Sequence, residues 1–420
     1  MNIKSRVLDV YFNSKPVGKL TEDKEGIINF KYNDVYLSSK DACQISVSMP
    51  LRQEQYEGNI PKAFFSGLLP DDIIRQRLSR YLGISEKNSF ALLEAVGGEC
   101  AGALSLYPEG EVLQEAKEED IQILDDKSLK EILDLLKKRP LLAGSDDIRL
   151  SLAGAQDKIA VRLIEGKIAI IKGSAPTTHI IKPIIEGIKD SVHNEAFCMR
   201  LAKLLKIDVP NVEILWIDNI PYFLIERYDR IKDQDGNIIR LHQEDFCQAL
   251  GIMPEFKYER EGGAGIDDCF NLIQNNSLQP ASDRLSFINR LIFNYIIGNA
   301  DAHSKNHSFL YKTNIPVLSP AYDIFSTAVY PEISTKMAMR IGKEYSPDKI
   351  FLRHWYQIIP ESSLAKKAFQ EQLIKFSKNC IQASIELKEQ FAKEKVQSPI
   401  LDEICSVIKK RVLHIQIMTE

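Results

Sequence analysis

The sequence has no CxxC pair, no long apolar run, no low-complexity segment, no internal repeat and no surplus of basic charge, and each absence excludes something. Its seven cysteines (Cys43, Cys100, Cys198, Cys247, Cys269, Cys380 and Cys405) are odd in number and widely scattered. They make no compact disulfide framework, which points to a reducing, cytoplasmic compartment. No apolar stretch approaches the length that spans a bilayer. The opening MNIKSRVLDVYF lacks the apolar core and small-residue cleavage site of a signal peptide, so none is expected. A formal net charge of −4 provides no overall basic field for binding nucleic acid directly. The two KKR runs, at 137–139 and 409–411, read as solvated helix faces.

What is present is 44% hydrophobic and 27% charged residues, the balance of a globular protein, in a 420-residue chain long enough for two or three folding units. Residues 6–37 alternate with period two (VLDVYF, a turn at Gly18, IINFKY, VYL), which predicts an antiparallel sheet. Pro70-Asp71-Asp72 opens a helical pattern that runs to Leu82. With SFALLEAVGGECAGALSLYP these segments predict an α+β unit over 1–108. An acidic and then helical stretch, 109–147, reads as a connector.

Strand patterns return over 148–228. IRLSLAG, KIAVRLI and KIAIIKG alternate, the last two joined by the hairpin signal Glu165-Gly166. HIIKP, VEILWI and PYFLIERY add strands, and NEAFCMRLAKLLKI predicts a helix with Phe197, Leu201, Leu204 and Leu205 on one side. From 229 to 420 helical periods dominate, beginning with QEDFCQALGI. The predicted class is therefore α+β: an N-terminal subdomain, a sheet-rich lobe and an all-helical lobe.

The helical lobe contains IIGNADAHSKNHSFL, 296–310. Leu285, Ile288, Leu291, Ile292, Tyr295 and Ile296 predict a buried helix, and Gly298 is placed to cap it. Asp301 and Asn306 follow with the D-x-x-x-x-N spacing of a kinase catalytic loop, in which the Asp takes a hydroxyl proton and the Asn holds a metal ion. Asp323, in SPAYDIF, supplies the second carboxylate such a site needs. Read alone, the loop could instead be a solvated helix end. Zinc at His303 and His307 would lack both the Glu of HExxH and a third ligand.

Three further signals stand in a telling order. In RLSLAGAQDKIAVRL, the small residues Ala153-Gly154-Ala155 allow close backbone approach to phosphate, but the loop is neither GxGxxG nor Walker A, and on spacing alone it reads as an ordinary hairpin turn. Lys182, late in a strand, and Glu195, in the next helix, have the order of the phosphate-binding pair of kinase N-lobes, though such Lys/Glu pairs also occur in unrelated proteins. LIERYDR, 224–230, lies where one lobe hands over to the other.

With these positions in hand, the chain resembles the HipA family of bacterial serine/threonine kinases, the toxin halves of toxin–antitoxin pairs. SLAGAQDK (151–158), PTTHIIK (176–182), NEAFCMRLA (194–202), IERYDR (225–230), NADAHSKN (299–306) and AYD (321–323) carry the resemblance. GLLPD (67–71) and GGECAGAL (97–104) extend it to the family's N-terminal accessory domain, so the likeness is to the full-length form.

The resemblance implies a bilobal protein-kinase-like fold that uses ATP and Mg²⁺. It implies Asp301 as catalytic base and Asn306 and Asp323 as metal ligands. Lys182, supported by Glu195, would meet the ATP phosphates, and the loop Ala153, Gly154, Ala155, Gln156, Asp157 and Lys158 would close over them. Glu226, Arg227 and Tyr228 would line the adenine, with Tyr322, His303 and Lys305 also at the nucleotide. Ser151 would be an inhibitory autophosphorylation site, because a phosphate there repels those of ATP. The implied partners are a small helix-turn-helix antitoxin, through which DNA is reached indirectly, and a protein substrate such as glutamyl-tRNA synthetase. Phosphorylating that synthetase would inhibit translation and cause growth arrest or persistence. A catalytically silent corepressor subunit and a small-molecule kinase are the competing readings.

Overall fold

The computed structural model describes residues 6–111, 120–144 and 149–420. The acidic run after Glu111 and the expected boundary at 148 fall outside them. Strands β1 (Arg6–Phe12), β2 (Lys15–Glu22), β3 (Ile28–Tyr32) and β4 (Leu104–Pro108) form one antiparallel sheet in the order β3-β2-β1-β4. The first turn lies at Asn13-Ser14, not at Gly18. Gly18 is instead in mid-strand, where a Cβ would come 2.3 Å from the Lys31 carbonyl oxygen; the glycine answers a close approach rather than a turn. VYL is not a strand either. It belongs to the one-turn helix α1 (Asp34–Leu37), capped by the Asn33 side chain. Helices α2 (Asn59–Gly67), α3 (Asp72–Leu82) and α4 (Ser89–Val96) cover the sheet. Phe30, Phe64, Phe65 and Phe90 are among the fully buried side chains of their shared core.

The second sheet joins β5 (Ile121–Ile123), β6 (Ile159–Ile164), β7 (Lys167–Ile171), β8 (His179–Lys182), β9 (Val212–Ile217) and β10 (Ile220–Glu226) in the order β5-β7-β6-β8-β10-β9. Glu165 and Gly166 both take positive φ, as the β6–β7 hairpin requires. Strand alternation divides β10 between two cores. Tyr222 and Leu224 join Leu129, Leu133 and Leu136 of helix α5 (Asp126–Leu136), and Phe223 and Ile225 join helix α6 (Ser191–Leu204). Each fully buried leucine on α5 contributes roughly 2 kcal/mol. The connector thus packs one face of the sheet and also lends it the edge strand β5. From Arg149 onward IRLSLAG is not a strand: Leu150 makes an isolated bridge to Glu99 and Gly154 one to Pro70, and the chain between them is irregular. Leu204 is 49% exposed, because α6 is buried around most of its circumference and its last turn emerges into water.

The C-terminal lobe is helical but not all-helical. Helices α7 (Phe246–Leu250), α8 (Ile266–Asn276), α9 (Pro280–Ile297), α10 (Leu352–Trp355), α11 (Ser363–Lys393) and α12 (Ile400–Thr419) carry its core. It also holds the hairpin β11 (Arg230–Lys232)–β12 (Ile238–Arg240) and the small sheet β13 (His242–Asp245), β14 (Ser308–Tyr311) and β15 (Val317–Leu318). These strands are at most four residues long, too short for a period of two to register. QEDFCQALGI accordingly begins as a strand and becomes a helix only at Phe246, where Asp245 makes a capping box with Gln248. On α9 the expected face is buried except Leu285, which is 51% exposed near the helix start. The 409–411 KKR run is not wholly solvated, since Arg411 is buried against Asp348 at 2.6 Å. All seven cysteines are buried and free. Among the described residues no helix is long and apolar enough to cross a membrane.

Candidate active site

The two lobes and the N-terminal domain enclose a cleft of ≈ 720 Å³. Its floor follows from how α9 ends. Gly298 takes φ 70 and caps the helix, and the chain then doubles back under the control of the segment beyond Asp323. Thr327 Oγ1 accepts the Ala300 N–H at 2.8 Å, and the Ala328 N–H donates to Gly298 O at 3.0 Å. Asn299 Oδ1 accepts the Asp301 N–H at 3.0 Å, and Asn306 Nδ2 donates to Asp301 O at 2.9 Å. These bonds leave the Asp301 carboxylate at the cleft surface, 52% exposed. The Asn306 amide is oriented with its nitrogen engaged, so its oxygen is the open end.

Asp323 has φ 51, an uncommon conformation for a non-glycine residue. Its carboxylate pairs with Lys182. Lys182 Nζ also donates to Glu195 Oε1 at 2.6 Å, tying β8 to α6. Burial pushes the Asp323 carboxyl up, but the Lys182 and Lys158 ammonium groups outweigh it and hold it down at about 2. Burial opposes the Lys182 charge as well, yet its two carboxylate partners raise its pKa. For Glu195 burial wins over Lys182, and its carboxyl is raised.

The loop after Ser151 folds in over this floor. Gly154 takes φ 110, and a Cβ there would meet Lys158 Nζ at 2.6 Å. Lys158, buried, donates to Ala153 O at 2.6 Å and closes the loop on itself. Ala153, Gly154, Ala155, Gln156 and Lys158 line the cleft. Asp157 does not: its carboxylate turns outward to Arg77 of α3, at 2.7 Å, because that is where the counter-charge lies. Ser151 is fully buried and donates to Leu68 O at 2.7 Å.

At the other end, Glu226, Tyr228 and Tyr322 line the cleft, and the two tyrosine rings stack with centroids 5.7 Å apart. Arg227 lines the cleft as well, but its charged group is engaged behind it. Its guanidinium is taken up by Glu99 and Asp229 in a buried ion network, since a fixed charge in that interior needs a partner. Its N–H donates to Thr178 O at 2.9 Å, and that of Glu226 to Asn211 O at 2.9 Å. His303 packs edge-on against Tyr258 at 5.1 Å, and burial pushes its imidazole down to about 4, so it is neutral at pH 7. Lys305 reaches Asp71, at 3.1 Å, and Asp245, at 3.7 Å. His307 is buried among Phe246 and Phe287.

Two participants escaped the sequence reading. Tyr258 donates its phenol to Asp301 Oδ1 at 2.5 Å, and nothing in YEREGG flags it. Asp71 was legible as a helix start and as the end of GLLPD, not as part of the site. Yet its side chain makes no capping bond, and the second acid directly behind it was the available signal.

Comparison with known proteins places the chain in a family. Residues 150–390 match the HipA-like C-terminal domain and residues 8–107 the HipA N-terminal domain. Y4mE of Sinorhizobium fredii, a protein designated a kinase, is 43% identical over 362 residues, covering 86% of each chain. The serine/threonine-protein kinase toxin HipA of Shewanella oneidensis is 33% identical over 305 residues, covering 69% of this chain and 68% of that one. A solved structure of Shewanella oneidensis HipA with HipB and operator DNA superposes with a TM-score of 0.80 at 24% identity, covering 98% and 96% of the two chains, and has the same fold. The chain belongs to the HipA family of serine/threonine-protein kinase toxins.

Proposed function

We propose that the cleft transfers the γ-phosphoryl group of ATP to a serine or threonine hydroxyl of a protein. The observation that carries this reading is Lys182 Nζ held between Glu195 and Asp323. It supports a cation already aimed at the place where phosphate charge must be met. Asp301 is the base that orients and deprotonates the acceptor hydroxyl. Phosphoryl transfer leaves little covalent work for the protein, so positioning and charge do most of it.

Magnesium fits the donor set. Asp323 is ionised at neutral pH, and the open end of Asn306 is an amide oxygen. One carboxylate and one amide oxygen suit a hard ion that keeps water and phosphate as its other ligands. When bound, the ion would neutralise charge on the β- and γ-phosphates. Lys182 would then exchange its Asp323 contact for phosphate oxygens while Glu195 keeps it aligned. The backbone of 153–158 would cover the phosphates, and Tyr228 and Tyr322 would enclose the base. Lys158 and Lys305 act here by holding loops rather than by meeting the nucleotide.

Ser151 is the self-inhibiting phosphorylation site in this reading, reached only after the loop leaves its buried seat. The partner is a HipB-like helix-turn-helix antitoxin. The substrate is an aminoacyl-tRNA synthetase, phosphorylated in the cytoplasm to slow translation and arrest growth. Intact-mass spectrometry with site mapping, before and after Mg·ATP, tests the chemistry in wild type and Asp301→Gln. Phosphate gained on Ser151 by the wild type alone is the expected result. No gain in either protein, from an unmodified start, would sink the kinase reading in favour of a silent subunit.

A further inference from the structure

Asp71 belongs to the N-terminal domain but touches both loops of the cleft. Its N–H donates to Gly154 O at 3.1 Å, and its Oδ1 lies 3.1 Å from Lys305 Nζ. It occupies the N-cap position of α3, where a carboxylate ordinarily binds a helix N–H, and makes no such bond. The next residue, Asp72, has φ 46 and sends its carboxylate to Lys257 Nζ at 2.7 Å. Lys257 O in turn accepts the Ser304 hydroxyl at 3.1 Å. Two successive acids therefore grip the catalytic loop at Lys305 and beside Ser304. Asp71 is the principal counter-charge of Lys305, because Asp245 is beyond hydrogen-bond reach at 3.7 Å.

We propose that Asp71 is a positioning residue for phosphoryl transfer. Its carboxylate fixes Lys305, and through it the register of Asp301 and Asn306, while its N–H fixes the loop at Gly154. One residue of the N-terminal domain thus sets both halves of the site. The inference rests on the phosphoryl-transfer reading above.

The test uses the full chain with Asp71→Asn, which keeps the N–H and the size but not the charge. Hydrogen exchange is measured for 299–307 and 153–158, with the α9 core as control. Mg·ATP hydrolysis is measured in a Ser151→Ala background, where loop release by self-phosphorylation cannot interfere. Exchange of both loops should rise at least about tenfold with α9 still protected, and kcat should fall about tenfold with KM for ATP within about threefold. Adding Lys305→Met should slow the enzyme no further, since both changes remove one pair. Unchanged exchange in 299–307, uniform loosening of the N-terminal domain, or additive losses would overturn the proposal. Should Asp71→Asn fail to fold, the neutral pair Asp71→Asn/Lys305→Met carries the same exchange test. A wild type that turns over no ATP would defeat the phosphoryl-transfer reading itself, and the exchange data would still decide whether Asp71 holds the two loops.

Discussion

Glu99 Oε1 accepts hydrogen bonds from Arg227 Nη1 at 3.2 Å and Arg230 Nη2 at 2.8 Å, so two guanidiniums of the hinge, the 225–230 segment that joins the two lobes, clamp one carboxylate of the N-terminal domain. Asp229 completes the network, bonded to Arg227 Nη2 at 2.9 Å and to the Gly102 N–H at 2.7 Å. All four side chains are buried. The hinge is therefore welded to the GGEC turn of the neighbouring domain.

Replacing one partner of such a network leaves buried charge uncompensated. Glu99→Gln should destabilise the chain by about 3 kcal/mol, seen as a lower midpoint in denaturant melts. ATP affinity should weaken as well, because Arg227 lies between Glu226 and Tyr228. A midpoint within error of wild type would mean that Asp229 alone balances both guanidiniums.

Lys182→Met should abolish phosphoryl transfer, with a loss of at least about 100-fold, while Glu195→Gln should retain part of it. In the proposed reading Lys182 meets the phosphates and Glu195 only holds it in place. Turnover assays of the two variants side by side read this directly. Equal losses would make Glu195 as essential as the lysine.

Ser151→Ala removes one hydrogen bond, to Leu68 O, and should cost only about 1 kcal/mol. Its effect on Mg·ATP incubation should be larger. In the wild type a phosphate of about −2 charge cannot occupy a fully buried seat, so the 151–158 loop should become protease-sensitive. The Ala variant should stay resistant and active for longer. Proteolysis that is the same with and without ATP would count against loop release.

His242 is buried, shares a hydrogen bond with Ile45 O, and is pushed by burial from its ordinary 6.5 down to about 4. The folded state therefore binds this proton less readily than the unfolded chain. Its contribution to stability is complete above pH 6.5 and is lost as pH falls towards 4, by up to about 3 kcal/mol. In His242→Gln that acid-side loss should disappear. Melts of both proteins from pH 4 to 7 give the difference; a constant gap would show that His242 does not titrate on unfolding.

The β6–β7 hairpin and α9 were legible because their signals are local. Glu165-Gly166 names its own turn, and α9 repeats apolar residues over five turns before Gly298 stops it. The D-x-x-x-x-N spacing placed Asp301 and Asn306 in one loop for the same reason. VYL misled because three alternating residues fit a helical turn as well as a strand. β13 was missed because its pairing partner, β14, is supplied from some sixty residues downstream.

The sequence by itself determined the local helix and hairpin signals, since residue type, period and spacing are properties of short stretches. Its resemblance to the HipA family implied the class of the chemistry and the loops expected to carry it. Only the tertiary structure decided where the charged groups point. The Arg227 guanidinium pairs with Glu99, the Asp157 carboxylate with Arg77, and Lys305 with Asp71, a partner 234 residues away in sequence. A buried charge must find its counter-charge wherever packing brings one within reach, and no local pattern records which that is.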